Sequence, residues 1–362
     1  MASPEREILD HLSWLDRLLP VWIFVAIGSG VLIGDFFPQV GPGLNSLQIG
    51  SISLPIAFGL IWMIYPPLAA VDYRKIGEVR EAKQVIGLSL ILNWLVGPFL
   101  MFALAWVFLP DSPGLREGVI LVGLARCIAM VLVWNMLAGG DNEHAAILVA
   151  INAAFQILLY SVYAFLFLTV LSNVLSPGQA AVVVAVNPLS IAVNVAIFLG
   201  IPLLMGYLSR SLLTRRRGVS WYEEKFLPRL APTALIALLF TLVVMFSLQG
   251  NVIVQDPFMV VRVAIPLIAY FAIMFLSSYF LAWKLRFGYQ DTVTVSFTAA
   301  SNNFELAIAV AIATFGLTSP QAFATVIGPL IEVPIMLGLV YLSLWMRAHL
   351  FALPAPPAAA AN

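Results

Sequence analysis

Charge is scarce in this chain. Only 10% of its 362 residues are Asp, Glu, Lys or Arg, 62% are hydrophobic, and the mean hydropathy is +0.99. A soluble domain carries about 25% charged and 45–50% apolar residues, so a water-soluble fold is excluded and an integral membrane protein is indicated. The 18 basic and 18 acidic residues cancel, which leaves no basic surface for nucleic acid. Cysteine occurs once, at Cys127, so neither an internal disulfide nor a Cys–Cys metal site can form. The three histidines, His11, His144 and His349, fall outside the apolar runs or at their ends, and no His-Glu-x-x-His pattern occurs, which argues against an intramembrane zinc protease. The opening "MASPEREILDHLSWLDRLLP" is charged and amphipathic, without the n-region, h-region and cleavage site of a signal peptide. Ser3 and Pro4 read as an N-cap and first helical position, so residues 1–18 are expected to form an interfacial helix at the cytoplasmic face. The closing "LPAPPAAAAN" is of low complexity, and a tail over 349–362 is expected to be disordered.

Long apolar runs are what the chain has in abundance. About 20 apolar residues make a membrane helix, and ten segments qualify, near 19–37, 52–70, 85–109, 116–138, 145–171, 188–209, 230–248, 258–283, 292–315 and 321–346. The runs are continuously apolar rather than alternating, which predicts helices and not a barrel. With ten spans, fifteen of the 18 basic residues fall on one side: Arg6, Arg17, Arg74, Lys75, Arg80, Lys83, Arg210, Arg215, Arg216, Arg217, Lys225, Arg229, Lys284, Arg286 and Arg347. Only Arg116 and Arg262 lie opposite, so both termini are expected in the cytoplasm and the protein in the inner membrane. Five spans in each half, over 19–172 and 188–348, make any internal repeat inverted in the membrane. An offset of 177 residues sets "HAAILVAI" (144–151) against "QAFATVIG" (321–328) and Arg126 against Asn303, so the fourth and ninth spans become equivalent.

Polar residues stand at depth in those two spans. In "GLARCIAMVLVWN" (123–135), Arg126 follows Arg116 by ten residues and precedes Ala138 by twelve, which places it about 15 Å from either helix end. A long side chain snorkels best near an end, and a central charge costs about 2.5–3.5 kcal/mol or more, so Arg126 needs compensation or a wet cavity. Span nine holds Ser301, Asn302, Asn303 and Glu305 halfway along "TVSFTAASNNFELAIAVAIATFG", and span ten holds Glu332 just before Pro334. The run Ser-Asn-Asn weakens a helix and predicts a break, whose freed backbone groups can line a cavity. Asn and Ser in a span also serve as ordinary interhelical hydrogen-bonding groups, and Glu305 or Glu332 can be a static partner for Arg126. A lone buried cysteine is ordinarily a small core residue. Beside a cation and a helix interruption its thiolate is favoured, and thiolate is a soft ligand for soft metals or metalloids.

The run "GLARCIAMVLVWN" resembles the signature of the arsenite efflux permease family, within the bile acid/sodium symporter-like superfamily. So do "SNNFELAIAVAIATFG" (301–316), "IYPPLA" (64–69) and "IGPLIEVPIML" (327–337). The likeness covers nearly the whole chain apart from its tails. It implies an all-α membrane protein of ten spans in two inverted five-helix repeats, with panel and core domains and with broken, crossing helices 4 and 9. It places the family's essential cysteine on Cys127 and its essential acidic residue on Glu305. It also implies outward movement of arsenite, and more weakly antimonite, driven by protons, with no cofactor.

On this reading Cys127, Glu305, Ser301, Asn302 and Asn303 contact the arsenic(III) substrate, Glu305 carries the proton, and Arg126 and Glu332 give electrostatic support. Two other transport modes fit the same spans: a sodium-coupled organic-anion symporter, in which Cys127 is dispensable, and a passive channel for the neutral hydroxide. An intramembrane enzyme with Cys127 as nucleophile lacks a histidine base at depth and is disfavoured.

Overall fold

The computed structural model describes residues 18–37, 47–49, 52–73, 83–175, 187–255, 257–316 and 318–351, together with 39, 40 and 43. The interfacial segment expected over 1–18 and the tail expected over 349–362 thus lie almost wholly outside the described residues. The described chain is helical apart from a two-residue antiparallel pairing, Gln48–Ile49 with Ile52–Ser53. In chain order the helices are α1 (Leu19–Phe36), α2 (Leu54–Ala70), α3 (Lys83–Phe108), α4 (Pro113–Leu124), α5 (Met130–Leu137) and α6 (Asn142–Leu175). Then follow α7 (Pro188–Arg217), α8 (residues 219–255), α9 (Pro257–Lys284), α10 (Tyr289–Ala300), α11 (Phe304–Phe315) and α12 (Pro320–Leu350).

Six of these, α3, α6, α7, α8, α9 and α12, are long and apolar enough to cross a membrane on their own, and α1, α2 and α11 are shorter apolar helices. Large apolar side chains cover the outside as well as the inside: Leu189 is 71% exposed, Phe36 70%, and Leu158, Val107 and Val174 each 69%. A soluble monomer does not present such a surface, whereas lipid accepts it. Inside, Tyr160, Tyr270, Tyr279, Phe271, Phe275, Phe297 and Trp134 are all fully buried.

Capping residues place the helix ends. Asn187, Asp141 and Ser319 each accept a backbone N–H of the first turn of α7, α6 and α12, and Pro188 and Pro320 stand at first helical positions where no N–H is needed. The basic stretch 210–217, expected as the start of a loop, is instead the last two turns of α7. Arg is a good helix former once the chain has left the apolar layer, and the helix stops only at Gly218, with φ of 88°.

Packing separates two groups. α1, α2, the second half of α7 and α8 pack on one another; α3, α4, α9, α10, α11 and α12 form the other group, with α6 beside α5 and α10. In the second group two helices are interrupted. Between α4 and α5 the chain runs extended at Ala125 (ψ 130°), and between α10 and α11 it is extended at Ser301 (ψ 141°). The two gaps cross as an antiparallel bridge of Arg126 with Asn302. Cys127 N–H donates to the Ser301 carbonyl (3.3 Å) and Asn303 N–H to the Ala125 carbonyl (3.2 Å). Asn302 Nδ2 adds bonds to the carbonyls of Val122 and Ala125, both at 3.0 Å.

Arg126 pins the crossing. It is 0% exposed, and no carboxylate lies within ion-pair distance of it among the described residues. Of the alternatives the sequence leaves open, a static ion pair with Glu305 or Glu332 is therefore not the one present. Its Nη1 donates to Tyr270 Oη (2.7 Å) and to the Ala299 carbonyl (3.5 Å), and its Nη2 to the Gly123 carbonyl. Gly123 and Ala299 sit in the last turns of α4 and α10, where carbonyls lack intrahelical partners and the helix dipole is negative. The Arg126 backbone N–H donates to Gln156 Oε1 at 3.0 Å. Room for the guanidinium depends on Gly97 of α3, where a Cβ would stand 2.8 Å from both Arg126 Nη1 and Tyr270 Oη.

Gly97→Ala is therefore expected to destabilise the detergent-solubilised protein by about 1–3 kcal/mol through overpacking, and Tyr270→Phe by about 1 kcal/mol through one lost hydrogen bond. Thermal unfolding measures both. An unchanged Tm in Arg126→Met would show that the crossing holds without its guanidinium.

Candidate functional site

Ser301 terminates α10, and Asn303 starts α11 by accepting the Leu306 N–H at 3.0 Å. Both are fully buried, as is Asn302. Behind them α12 passes so closely that a Cβ on Gly328 would fall 1.7 Å from the Phe304 ring, and one turn further on it presents Glu332. Ser301 Oγ donates to Glu332 Oε1 at 2.6 Å, the short distance of a charge-assisted bond.

Cys127 lies across from this pair. Its Sγ accepts the backbone N–H of Val131 at 3.3 Å, a donor that the first turn of α5 leaves without an intrahelical partner. Across the crossing from it stand Ser301, whose carbonyl accepts the Cys127 N–H, Glu332, bonded to the Ser301 hydroxyl, and Glu305, in the first turn of α11. The structure thus brings Cys127, Ser301, Glu305 and Glu332 to one place and holds Arg126 apart from the carboxylates. Asn302 Nδ2 is spent on the crossing, whereas Asn302 Oδ1, Asn303 Nδ2 and Gln156 Nε2 are buried without a protein partner among the described residues. Buried polar atoms of this kind normally bind something, so they are available to a hydroxylated ligand.

A cavity of about 230 Å³ adjoins the site. Met63, Pro66 and Pro67 of α2 line it on one side and Ala231, Ala234 and Leu238 of α8 on another; Ala129, Met130 and Glu305 complete the wall. Glu305 is its single ionisable group. Cys127 is not on this wall; it is 4% exposed, two residues from Ala129. Composition alone could not reveal the contribution of α2 and α8, because their lining residues are ordinary apolar ones. Gln156 and Tyr270 were missed as well. Gln156 could have been found from the stripe Asn152, Gln156 and Tyr160, which recurs once per turn on a buried face, whereas Tyr270 carries no such signal and its role depends on where Arg126 points.

Asp141, His144 and Asp291 form a second polar cluster near the N-termini of α6 and α10, with His144 Nδ1 2.7 Å from Asp291 Oδ1. It joins the connection after α5 to the start of α10 and lies apart from the cavity.

The family model of the sodium bile acid symporters matches residues 57–256. Over 350 residues the chain is 50% identical to the arsenical-resistance protein Acr3 of Corynebacterium glutamicum, covering 97% of this chain and 93% of that protein. It is 36% identical over 345 residues to the Acr3 protein of Alkaliphilus metalliredigens (92% and 93% covered), and 34% identical over 348 residues to an uncharacterized transporter of Synechocystis sp. (91% and 88% covered). The chain therefore belongs to the sodium bile acid symporter family and, within it, to the Acr3-type arsenical-resistance proteins, which makes it a multi-pass membrane transporter rather than an enzyme.

Proposed function

We propose that this protein exports arsenite, and antimonite more weakly, in exchange for protons across the inner membrane. The observation that carries this reading is the meeting of the Cys127 thiol and the Glu305 carboxylate at one helix crossing, with Glu305 opening onto an apolar cavity. On this reading the interrupted pairs α4–α5 and α10–α11 count as one span each, which makes ten spans, and five spans to a half would set the halves in inverted orientation. Both termini then lie in the cytoplasm. The cavity is lined by the C-terminal half of α2 and the N-terminal part of α8, the ends that the basic residues 215–217 at the close of α7 assign to the cytoplasm, so on this reading it faces the cytoplasm.

Arsenious acid is neutral at pH 7 and can enter an apolar cavity without a counter-charge. It then meets sulfur, a soft ligand suited to arsenic(III), and the polar atoms of Asn302 and Asn303 receive its hydroxyls. Glu305 binds a proton from outside and releases it inside on the return step. Moving one charge through 100 mV provides about 2.3 kcal/mol, roughly fifty-fold in concentration. The group of α1, α2, α7 and α8 rocks against the group that holds the crossing, closing the cavity on one side and opening it on the other.

The sodium-coupled organic-anion reading has the family name in its favour, but two observations oppose it. The carbonyls at the crossing already accept protein donors: Gly123 and Ala299 from Arg126, Val122 and Ala125 from Asn302, and Ser301 from Cys127. A cavity of about 230 Å³ is also smaller than the roughly 300–1,000 Å³ that drug-sized ligands occupy. A passive channel has no use for a buried carboxyl group at the cavity wall.

Transport in everted vesicles tests the reading. Cys127→Ala and Glu305→Gln are each expected to lower arsenite uptake at least about ten-fold, with Glu305→Asp retaining part of it because a titratable group remains. Replacing sodium by potassium is expected to change nothing. Wild-type rates in both Cys127→Ala and Glu305→Gln would dismiss the mechanism. Filling the cavity with Ala234→Phe is expected to abolish uptake with Tm within a few degrees of wild type; unimpaired uptake would place the substrate path elsewhere.

A further inference from the structure

Arsenic(III) does not bind a thiol without a proton changing place. The sulfur must lose a proton, and the hydroxide that leaves arsenic must gain one. A neutral thiol is a weak nucleophile, and hydroxide is a poor leaving group. Glu305, at the cavity wall, is occupied with the transported proton in the reading above. A second carboxylate is present that this cycle does not use.

We propose that Ser301 and Glu332 form a proton relay that activates the Cys127 thiol toward arsenic(III), with Glu332 as the base acting through the Ser301 hydroxyl. The inference rests on the arsenite reading of the site and adds to it a role for two residues. Its geometry is a continuous line of buried groups. Ser301 is 0% exposed and Glu332 4%, and their oxygens are 2.6 Å apart. The Ser301 carbonyl holds the Cys127 backbone N–H at 3.3 Å, so the serine whose hydroxyl bonds Glu332 is fixed beside the cysteine by main chain. On its other side the sulfur faces the Val131 N–H at the start of α5, a donor placed to stabilise developing negative charge. Glu332 is not among the residues that line the cavity.

In the forward step the thiol proton passes to Ser301 Oγ as the serine proton passes to Glu332. The sulfur lone pair forms the S–As bond and one As–O bond breaks. The departing hydroxide takes a proton back along the same line and leaves as water. The balance is As(OH)₃ + Cys–SH → Cys–S–As(OH)₂ + H₂O, with no change of oxidation state and no net proton consumed. Release is the reverse, with water attacking arsenic and the relay returning the proton to sulfur. Because the relay returns each proton it takes, it leaves the Glu305 exchange stoichiometry untouched.

The single cysteine makes the test specific, since alkylation of the full-length protein reports Cys127 alone. The rate of reaction with iodoacetamide is followed between pH 6 and 9 in the wild type and in variants whose Tm shows them folded. Glu332→Gln and Ser301→Ala are each expected to slow alkylation near pH 7 at least about ten-fold and to move the pH profile upward, with Ser301→Thr restoring it because the hydroxyl is retained. Charge repulsion alone gives the opposite sign: removing a nearby negative charge eases thiolate formation and speeds alkylation. An unchanged or faster rate in Glu332→Gln would overturn the relay. If that variant fails to fold, Ser301→Ala paired with Ser301→Thr decides the matter. Arsenite transport by Cys127→Ala separates the two levels. Normal transport sinks the sulfur contact itself, whereas lost transport with unaltered alkylation in Ser301→Ala sinks the relay and leaves the arsenite reading standing.

Discussion

A buried guanidinium held by the carbonyl ends of two broken helices is the interaction on which the rest of this structure depends. Arg126 is fully buried, and among the described residues no carboxylate partner offsets its charge. It has the last turns of α4 and α10 instead, through Gly123 and Ala299. A helix C-terminus carries about half a negative elementary charge, so two of them together match one cation. The helices gain in return, since an interrupted helix in a membrane leaves carbonyls that neither lipid nor water can satisfy. Cation and breaks therefore stabilise each other, and removing either leaves the other at a cost of several kcal/mol.

This arrangement sorts charge along the crossing. The C-terminal ends of α4 and α10 face the arginine. The N-terminal ends of α5 and α11, where the dipole is positive and N–H groups are unpaired, face the sulfur of Cys127 and the first-turn carboxylate of Glu305. Because helix ends neutralise Arg126, neither Glu305 nor Glu332 is consumed as a counter-ion.

Much of the site was legible in the sequence. Cys127, Ser301, Asn302, Asn303, Glu305 and Glu332 stand out because each is a polar or soft group where the pattern demands lipid-compatible ones, and the structure brings them together. The break at Ser301–Asn303 could also be read locally, since Ser and Asn compete for backbone hydrogen bonds. The break at 125–129 could not be read from helix propensity. Its residues, Ala-Arg-Cys-Ile-Ala, contain no glycine or proline, and the interruption is imposed by the opposing strand and by Asn302. The partner of Arg126 could not be fixed from the sequence for a related reason. A sequence displays carboxylates such as Glu305 and Glu332 and hides carbonyls, so nothing in it points to Gly123 and Ala299, or to the Tyr270 hydroxyl. Loop boundaries failed where charge was taken as an end of helix: the arginines at 215–217 mark the edge of the apolar layer, while the helix runs on to Gly218.

The cavity follows the same logic from the other direction. Its walls are contributed by α2 and α8 of one packing group and by α5 and α11 of the other, so the proposed rocking of one group against the other would change its shape without disturbing the crossing. Its lining is apolar except at Glu305. A charged cargo would find no countercharge there that was not also needed for coupling, and a large one would find too little room. A small neutral hydroxide escapes both difficulties: it is desolvated cheaply, and a soft sulfur behind the wall, rather than a charge on it, supplies the selectivity. On the proposed reading the cargo is neutral, so all the charge moved in a cycle travels on the proton, the membrane potential acts on the Glu305 carboxyl group, and selectivity and energy coupling are assigned to different atoms, the Cys127 sulfur and that carboxyl group.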